Sequence, residues 1–566
     1  MLNTNLKVLF LAISSTVLGA SLSGCSSSSD PDTISSLEVT EKALEITGRI
    51  VDATTGDAID GATITVSGTD VASIDMENAT TLPGGIVTYS ADKQDISLNL
   101  LAQKDGYLDT GIELSTANTD LAEFIIRMVK IDNPPVGTAV TQQDVSGDVD
   151  AGGVVTNEIT VSAKVTNSTS VNDEQTQIVI PAGTDLLDKD GNPVTGTIKV
   201  TVAHHSANEE SSTDAFPGGF AVLATTSDPN ATEATQENIT FVTAGFTSIT
   251  VENENGDKVR QFGNNDIEVK MQIKEGTINP DTGVAIAIGD TVPVWSYDED
   301  TGKWSYEQDG TVADLDGADG FYDVVVQASH LSYWNLDWHY SAVCSNLTLN
   351  IVNSQGGLLT GENVYVRAAF TNSAGYLYSG YIRNDGYAKL FNFPLNRELK
   401  LTALIDGAEV GSKTTTVTQS MCDSSGVINL SVPTSALPVK YPVTVRAKSM
   451  CANGQVDDDN LRLFSYLYAG GKYLTYGYTP VTAYAAEGSE FKTYIYKPYI
   501  NGTIDGTDYY GYYSTKTLMV SNNATDNVIE YTVTLDGNTQ ACLDAASTTG
   551  ATTGTTTGST DLNVNQ

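Results

Sequence analysis

Basic residues are scarce in this chain. Its 566 residues hold 29 Lys and Arg against 70 Asp and Glu, a formal charge of −41. A surface that acidic repels a phosphate backbone, which excludes nucleic acid as a partner class. Histidine is rarer still at four, and tryptophan also numbers four. The H-E-x-x-H, G-x-S-x-G and phosphate-loop patterns of common catalytic sites are all missing. Beyond the N-terminus no apolar run approaches the ~20 residues of a membrane-spanning helix. Amphipathic helical patterns are nearly missing, and helical fold classes go with them. Cysteine is limited to five, with no C-x-x-C pair, which argues against a structural zinc site.

What the chain does have is short runs of alternating apolar residues. "ATITVSG", "TIKVTVA", "LTLNIVN", "YPVTVRAK" and "IEYTVTLDG" are separated by Gly, Asn and Asp at short intervals. Such a pattern predicts many strands joined by turns, and therefore sandwiches or barrels. The length allows several domains. "DNPPVG" (132–137) reads as a linker, because two prolines do not fit a sheet interior. "ASTTGATTGTTTGSTDLNVNQ" (546–566) is low in complexity and cannot build a core.

The first residues read as a secretory signal: Lys7, a short apolar run, then Leu22-Ser23-Gly24-Cys25. This "LSGC" resembles the lipobox of bacterial lipoproteins. The resemblance implies cleavage before Cys25, a lipid on Cys25 as membrane anchor, and an outer-membrane location facing periplasm or exterior. Four cysteines remain: Cys344, Cys422, Cys451 and Cys542. In an oxidising compartment an even number suggests disulfides. Of the three pairings, Cys344–Cys422 with Cys451–Cys542 is favoured, since each then brackets one strand-rich segment.

Two internal regions also resemble known families. In 40–132, Gly48, Asp52, Thr55, Gly56, Gly61, Ala62 and the pair Gly106-Tyr107 match the regulatory, transthyretin-like domain that accompanies metallocarboxypeptidases. The resemblance implies a seven-stranded sandwich that packs or presents other domains, without peptidase activity. In 138–340, "IPAG" with "DGNP", then "VWSYDEDTGKW", then "HLSYWN" resemble the ZU5-related β-sandwich. Segments 341–433 and 437–545 read as a tandem duplication, because "GYLYSGY" (375–381) and "KYLTYGY" (472–478) align at an offset of 97. The expected organisation is a signal peptide (1–24), a polar tether (25–39), four modules and the disordered tail. The fold class is all-β: tandem β-sandwich modules, transthyretin- or Ig-like, on a lipid-anchored tether.

Four stretches are candidate sites. Thirteen of the 27 tyrosines lie between Tyr466 and Tyr513. A turn at Gly470-Gly471 sets Tyr468 opposite Tyr473 and Leu467 opposite Leu474, with Tyr466 on the tyrosine face. That face is either a cross-strand ladder or an exposed aromatic surface for sugars or a partner protein. In "HHSANEE", His204 and His205 point to opposite faces of a strand, so a surface loop is expected rather than a zinc site. The acidic turns "DVSGDVDAGG", "DKDGNP", "SYDEDTG" and "LDGADG" offer oxygens to calcium without EF-hand spacing, so no cofactor is expected beyond weakly held calcium. Finally, "ASHLSYWNLDWH" (328–339) is a packed domain end, a ligand contact or a self-cleavage site between Leu331 and Ser332. The last follows from its likeness to the "H-F-S" segment of ZU5-containing death-domain proteins, with His330 assisting Ser332. Alternation from Tyr322 to His330 predicts one strand with one buried face.

The expected function is noncatalytic: surface presentation, adhesion, or glycan or protein binding, with the membrane contacted through the lipid. The alternatives are a structural envelope spacer and the self-cleaving module.

Overall fold

The structure, a computed structural model, describes residues 43–535 apart from short internal stretches, the longest being 227–234, 497–501 and 509–513. Strands dominate the described residues, and the α-helices among them are the short Glu210–Thr213 and Gln419–Asp423. The chain is all-β, as its alternation requires.

Three segments share one strand arrangement. Leu44–Asp52 lies between Ile86–Ala91, antiparallel, and Leu121–Met128, parallel. Leu347–Val352 lies between Tyr387–Leu390, antiparallel, and Val427–Ser431, parallel. Lys440–Cys451 lies between Val481–Ala486, antiparallel, and Val528–Leu535, parallel. Each segment has a second, antiparallel sheet, in which Tyr376–Ile382 and Lys472–Tyr478 are the corresponding edge strands of the last two. Alternation builds each core. In the first strand Leu44, Ile46 and Ile50 point inward and are fully buried. Gly48 shares that face, and a Cβ there would lie 2.0 Å from the Phe124 ring, so only glycine lets the two sheets close.

Residues 138–340 follow a different plan. Their main sheet is one hydrogen-bonded system of 11 strands. Lys303–Ala313 turns its corner: the first part pairs with Thr291–Asp298, while Val312 and Ala313 pair with Phe321–Ala328. Gly310 sits at the bend, where a Cβ would come within 2.4 Å of Val324. The hairpin around Asp300-Thr301-Gly302 closes with Asp298 opposite Lys303 and Tyr297 opposite Trp304. All four tryptophans are buried, at 3% exposure or less.

The segments are not beads on a string. Buried residues from Ala139 to Val432 form one continuous cluster, so the core runs across the sequence boundary at 340. Tyr340 packs edge-on against Phe370, and Thr240 Oγ1 donates to the Asn392 carbonyl at 2.7 Å. The first segment touches all the others. The Tyr333 hydroxyl donates to Asp109 O at 2.8 Å, Arg127 Nη2 to the Tyr365 hydroxyl at 2.6 Å, and the Thr47 and Tyr466 hydroxyls meet at 3.1 Å.

Candidate functional site

Phe464–Ala469 and Lys472–Tyr478 pair so that Tyr468 faces Tyr473. A register shift between Leu467 and Tyr468 places Leu467 opposite Thr475 instead of Leu474. Tyr466 and Tyr468 are only 2% and 6% exposed. They pack with Phe464, Tyr494 and Ile86, the last contributed by the first segment. This corrects the reading of Tyr466 and Tyr468 as an open binding face: another part of the chain covers them. The Tyr473 side chain lies outside the described residues.

The strand expected to reach His330 ends at Ala328, and a new one runs from Tyr333 to Tyr340. The latter pairs with Gln236–Glu252 on one side and Thr291–Asp298 on the other, and is buried on both faces as far as Trp338. Leu331 and Ser332 are 5% and 3% exposed. The Ser332 hydroxyl donates to the Tyr333 carbonyl at 2.9 Å. The His330 ring stacks on Trp334, with Nε2 at 3.4 Å from Glu307. The hydroxyl and the imidazole are thus each engaged with groups other than one another.

His204 and His205 do not sit in a surface loop. They end the strand Lys199–His205, each 1% exposed. Opposite faces are indeed involved, but both are covered. His204 Nδ1 lies 2.9 Å from Thr176 Oγ1, and its Nε2 3.7 Å from the fully buried Glu174 carboxylate. His205 stacks on Phe246 at 4.1 Å, and burial pulls its pKa down to about 3, with His204 adding to the shift. In the acidic turns the carboxylates cap their own backbone. Asp150 accepts from the N–H groups of Gly152 and Val154, and Asp188 from those of Asp190 and Asn192. Among the described residues no three His, Cys, Asp or Glu side chains gather as a metal site. Cys344 and Cys422 are joined, with Cα atoms 5.5 Å apart, and Cys451 is disulfide-bonded. Cys25 and Cys542 lie outside the described residues.

Several residues quoted for the first resemblance do meet. Asp52 Oδ1 accepts from the N–H groups of Thr54 and Thr55, and its Oδ2 accepts from the Tyr107 hydroxyl at 3.1 Å. Gly56 closes this turn at φ +73°.

Just outside that turn is a cavity of about 690 Å³, lined by the three same-topology segments and by Asp214 of the 138–340 region. Strand alternation supplies its walls. Arg49 and Val51 project from one face of Leu44–Asp52, and their parallel neighbours Ile125 and Arg127 project beside them. Tyr365 and Arg367 alternate with the buried Val364, Val366 and Ala368. Lys440 pairs with Ala486, and Tyr484 with Pro442 two residues further on. Four cations, Arg49, Arg127, Arg367 and Lys440, therefore converge against two carboxylates, Asp52 and Asp214. Burial raises the Asp214 pKa, and Arg127 opposes that rise. Arg367 also pairs with Glu210 at the middle segment's short helix. Sequence reasoning missed this site, because its parts lie hundreds of residues apart and form no motif.

No known protein family and no curated protein matches the sequence. Solved structures with some likeness include a streptococcal ancillary pilin (8% identity, 44% of this chain, 93% of that one, TM-score 0.13). The major pilin subunit of Bacillus cereus is another (9%, 69% and 98%, 0.13). A third is the full-length major pilin of Streptococcus pneumoniae (9%, 87% and 100%, 0.13). Likeness at that TM-score carries no argument about function.

Proposed function

We propose that this chain is a noncatalytic cell-envelope lipoprotein, held through Cys25 and exposed at the surface, that binds a glycan or protein partner where its segments meet. The observation that carries the reading is the junction cavity. In a chain whose charge is −41, four of only 29 basic side chains line one cavity. Segments that fold back on one another make a rigid head, and a preformed cleft at module junctions is where small ligands usually bind. The tether and lipid then serve to hold that head at the membrane surface.

The burial of Tyr466 and Tyr468 favours a second reading, a structural spacer without a ligand. Protease shaving of intact cells separates the two from the outside. A surface-exposed receptor is cut from whole cells, whereas a periplasmic spacer is protected until the outer membrane is opened. Cys25→Ser is expected to leave an uncut or miscut soluble precursor, and retention of that variant in the membrane fraction overturns the lipid anchor.

A further inference from the structure

From the loops at one end of the 138–340 segment we infer that they form a docking surface for a basic, amphipathic segment of a partner protein. This face is separate from the junction cavity, and the inference does not depend on that cavity.

Apolar exposure is the first argument. Among the described residues twelve large apolar side chains are exposed, and Ile278, Val284, Ile288 and Leu315 are four of them. The last three are 63%, 63% and 59% exposed, so the rest of the described chain leaves them largely uncovered. Their loops are tied to one another. Glu275 N donates to Gly320 O at 3.0 Å, Ile286 N to Thr277 O at 2.9 Å, and Gly289 N to Val312 O at 2.9 Å. Ile278–Asn279 pairs with Val284–Ala285, and the Asn279 side chain accepts from the N–H groups of Asp281 and Thr282. Ile286, at 3% exposure, anchors this hairpin in the core. Scattered apolar side chains on a surface need no explanation, but a group held on tied loops marks a contact site. Because the loops are already fixed, little freedom is lost on binding.

Charge is the second argument, and it selects the occupant. Residues 275–291 and 313–320 contain Glu275, Asp281, Asp290, Asp314, Asp316 and Asp319, and no Lys, Arg or His. Lys270 pairs with Asp316 at 2.9 Å, and among the described residues the other five enter no ion pair. A second copy of this chain carries −41 and is repelled, as is an anionic membrane. A segment that alternates apolar side chains with Lys or Arg complements both the exposed apolar groups and the carboxylates around them.

An anchor pocket is the third argument. Beside the hairpin a cavity of about 160 Å³ is lined by Ile278, Pro280, Trp338, Tyr340 and Phe370. An apolar cavity of about 150 Å³ holds a benzene ring, so this one has room for one apolar side chain of the partner. A single buried anchor of that kind carries much of an interface's binding energy. The wall also includes Asn208, whose Nδ2 is buried and has no acceptor among the described residues. That donor is placed to meet a carbonyl of the incoming backbone. The Tyr340 hydroxyl donates to Pro280 O at 3.3 Å, which holds the hairpin beside the pocket. Arg397 stacks on the Tyr340 ring at 4.1 Å, so its charge is already engaged.

The test is fluorescence anisotropy of a labelled Lys-Leu-Lys-Leu-Lys-Leu-Lys peptide titrated with the full-length protein in maltoside micelles, against a blank of micelles alone. Two comparison peptides replace every Leu by Ser or every Lys by Glu. The Lys-Leu peptide is expected to bind at least about ten-fold more tightly than either, since each lacks one of the two complementary features. Val284→Ser/Ile288→Ser is expected to weaken it at least about ten-fold. Glu275→Gln/Asp281→Asn is expected to weaken it about three-fold and to flatten its salt dependence. All four residues are exposed, so neither pair is expected to move the melting temperature. Absence of binding overturns the inference, as do equal binding of either comparison peptide and unchanged affinity in both double variants. Self-association of the chain that the serine pair abolishes assigns the face to a second copy and overturns it too. Cosedimentation of the unlipidated Cys25→Ser chain with phosphatidylcholine vesicles, lost in the serine pair, assigns it to a membrane with the same consequence.

Discussion

Residues 138–340 contain all four tryptophans and no cysteine, whereas residues 341–535 contain three cysteines and no tryptophan. The first region closes around aromatic rings. Trp304 stacks on Phe216 at 5.0 Å, meets Phe241 edge-on at 5.4 Å, and donates from Nε1 to the Pro217 carbonyl at 3.2 Å. The second closes smaller sandwiches, and adds the Cys344–Cys422 link and a disulfide at Cys451. The difference follows from size: a small sandwich buries proportionally less apolar surface than a large folded sheet, and covalent links offset the shortfall.

Breaking the aromatic centre is the strongest challenge to that comparison. Trp304→Ala is expected to destabilise the 138–340 region by about 3–5 kcal/mol, since it removes a fully packed ring and opens a cavity. Calorimetry checks this. Next comes the disulfide. Opening Cys344–Cys422, with its 78-residue separation, is expected to cost about 4 kcal/mol in the chain-entropy model. A Cys344→Ser/Cys422→Ser chain therefore unfolds earlier in its C-terminal part, and added reductant shifts the double variant less than the native chain. If reductant lowers the aromatic region as much, the two regions are not held independently, a result their shared core makes informative.

Acid probes the aromatic region through two buried groups. His205 titrates at about 3 when folded and near 6.5 when unfolded, so the unfolded state binds the proton more readily. Its contribution is present above pH 6.5 and is lost as pH falls from 6.5 towards 3, by roughly 5 kcal/mol at most. Asp337, raised well above 3.8 by burial, works in the opposite direction: the folded state keeps its proton, a stabilisation that fades as pH rises above 3.8. Melting of His205→Phe and Asp337→Asn across pH 3.5–7 is expected to show a flatter acid limb for the first and a steeper net loss on acidification for the second. The smallest effect is expected for Tyr466→Phe, which removes the hydroxyl contact to Thr47 and costs about 1 kcal/mol.

Much of the fold was legible because alternation is a local signal. Leu44, Ile46 and Ile50, the Trp295–Trp304 hairpin and the edge strands holding "GYLYSGY" and "KYLTYGY" lie where period-two patterns put them. Coverage was not legible. Alternation marks Tyr466 and Tyr468 as one face but does not say that Ile86 and Thr47, some 400 residues earlier, lie over it. For the same reason His204 and His205 were read as exposed: opposite faces are certain from geometry, and burial of both is a tertiary fact. The cation cavity draws Arg49, Arg127, Arg367 and Lys440 from separate strands, and no spacing announces it. The third copy of the strand arrangement escaped because topology outlasts the residues that a repeat search compares.

The parallel seam common to the three similar segments governs how they respond to pulling. Where first and last strands run side by side in the same direction, the chain enters at one end of the seam and leaves at the other. Tension then loads every rung together instead of opening them one by one. The seams of Leu44–Asp52 with Leu121–Met128 and of Lys440–Cys451 with Val528–Leu535 each hold eight residue pairs, while Leu347–Val352 with Val427–Ser431 holds five. That shortest seam has the Cys344–Cys422 disulfide beside it. Cys344 precedes its first strand and Cys422 its last, so a force arriving at residue 344 crosses directly to 422 and residues 345–421 carry none of it. The shortest of the three seams is thus fitted with a covalent bypass.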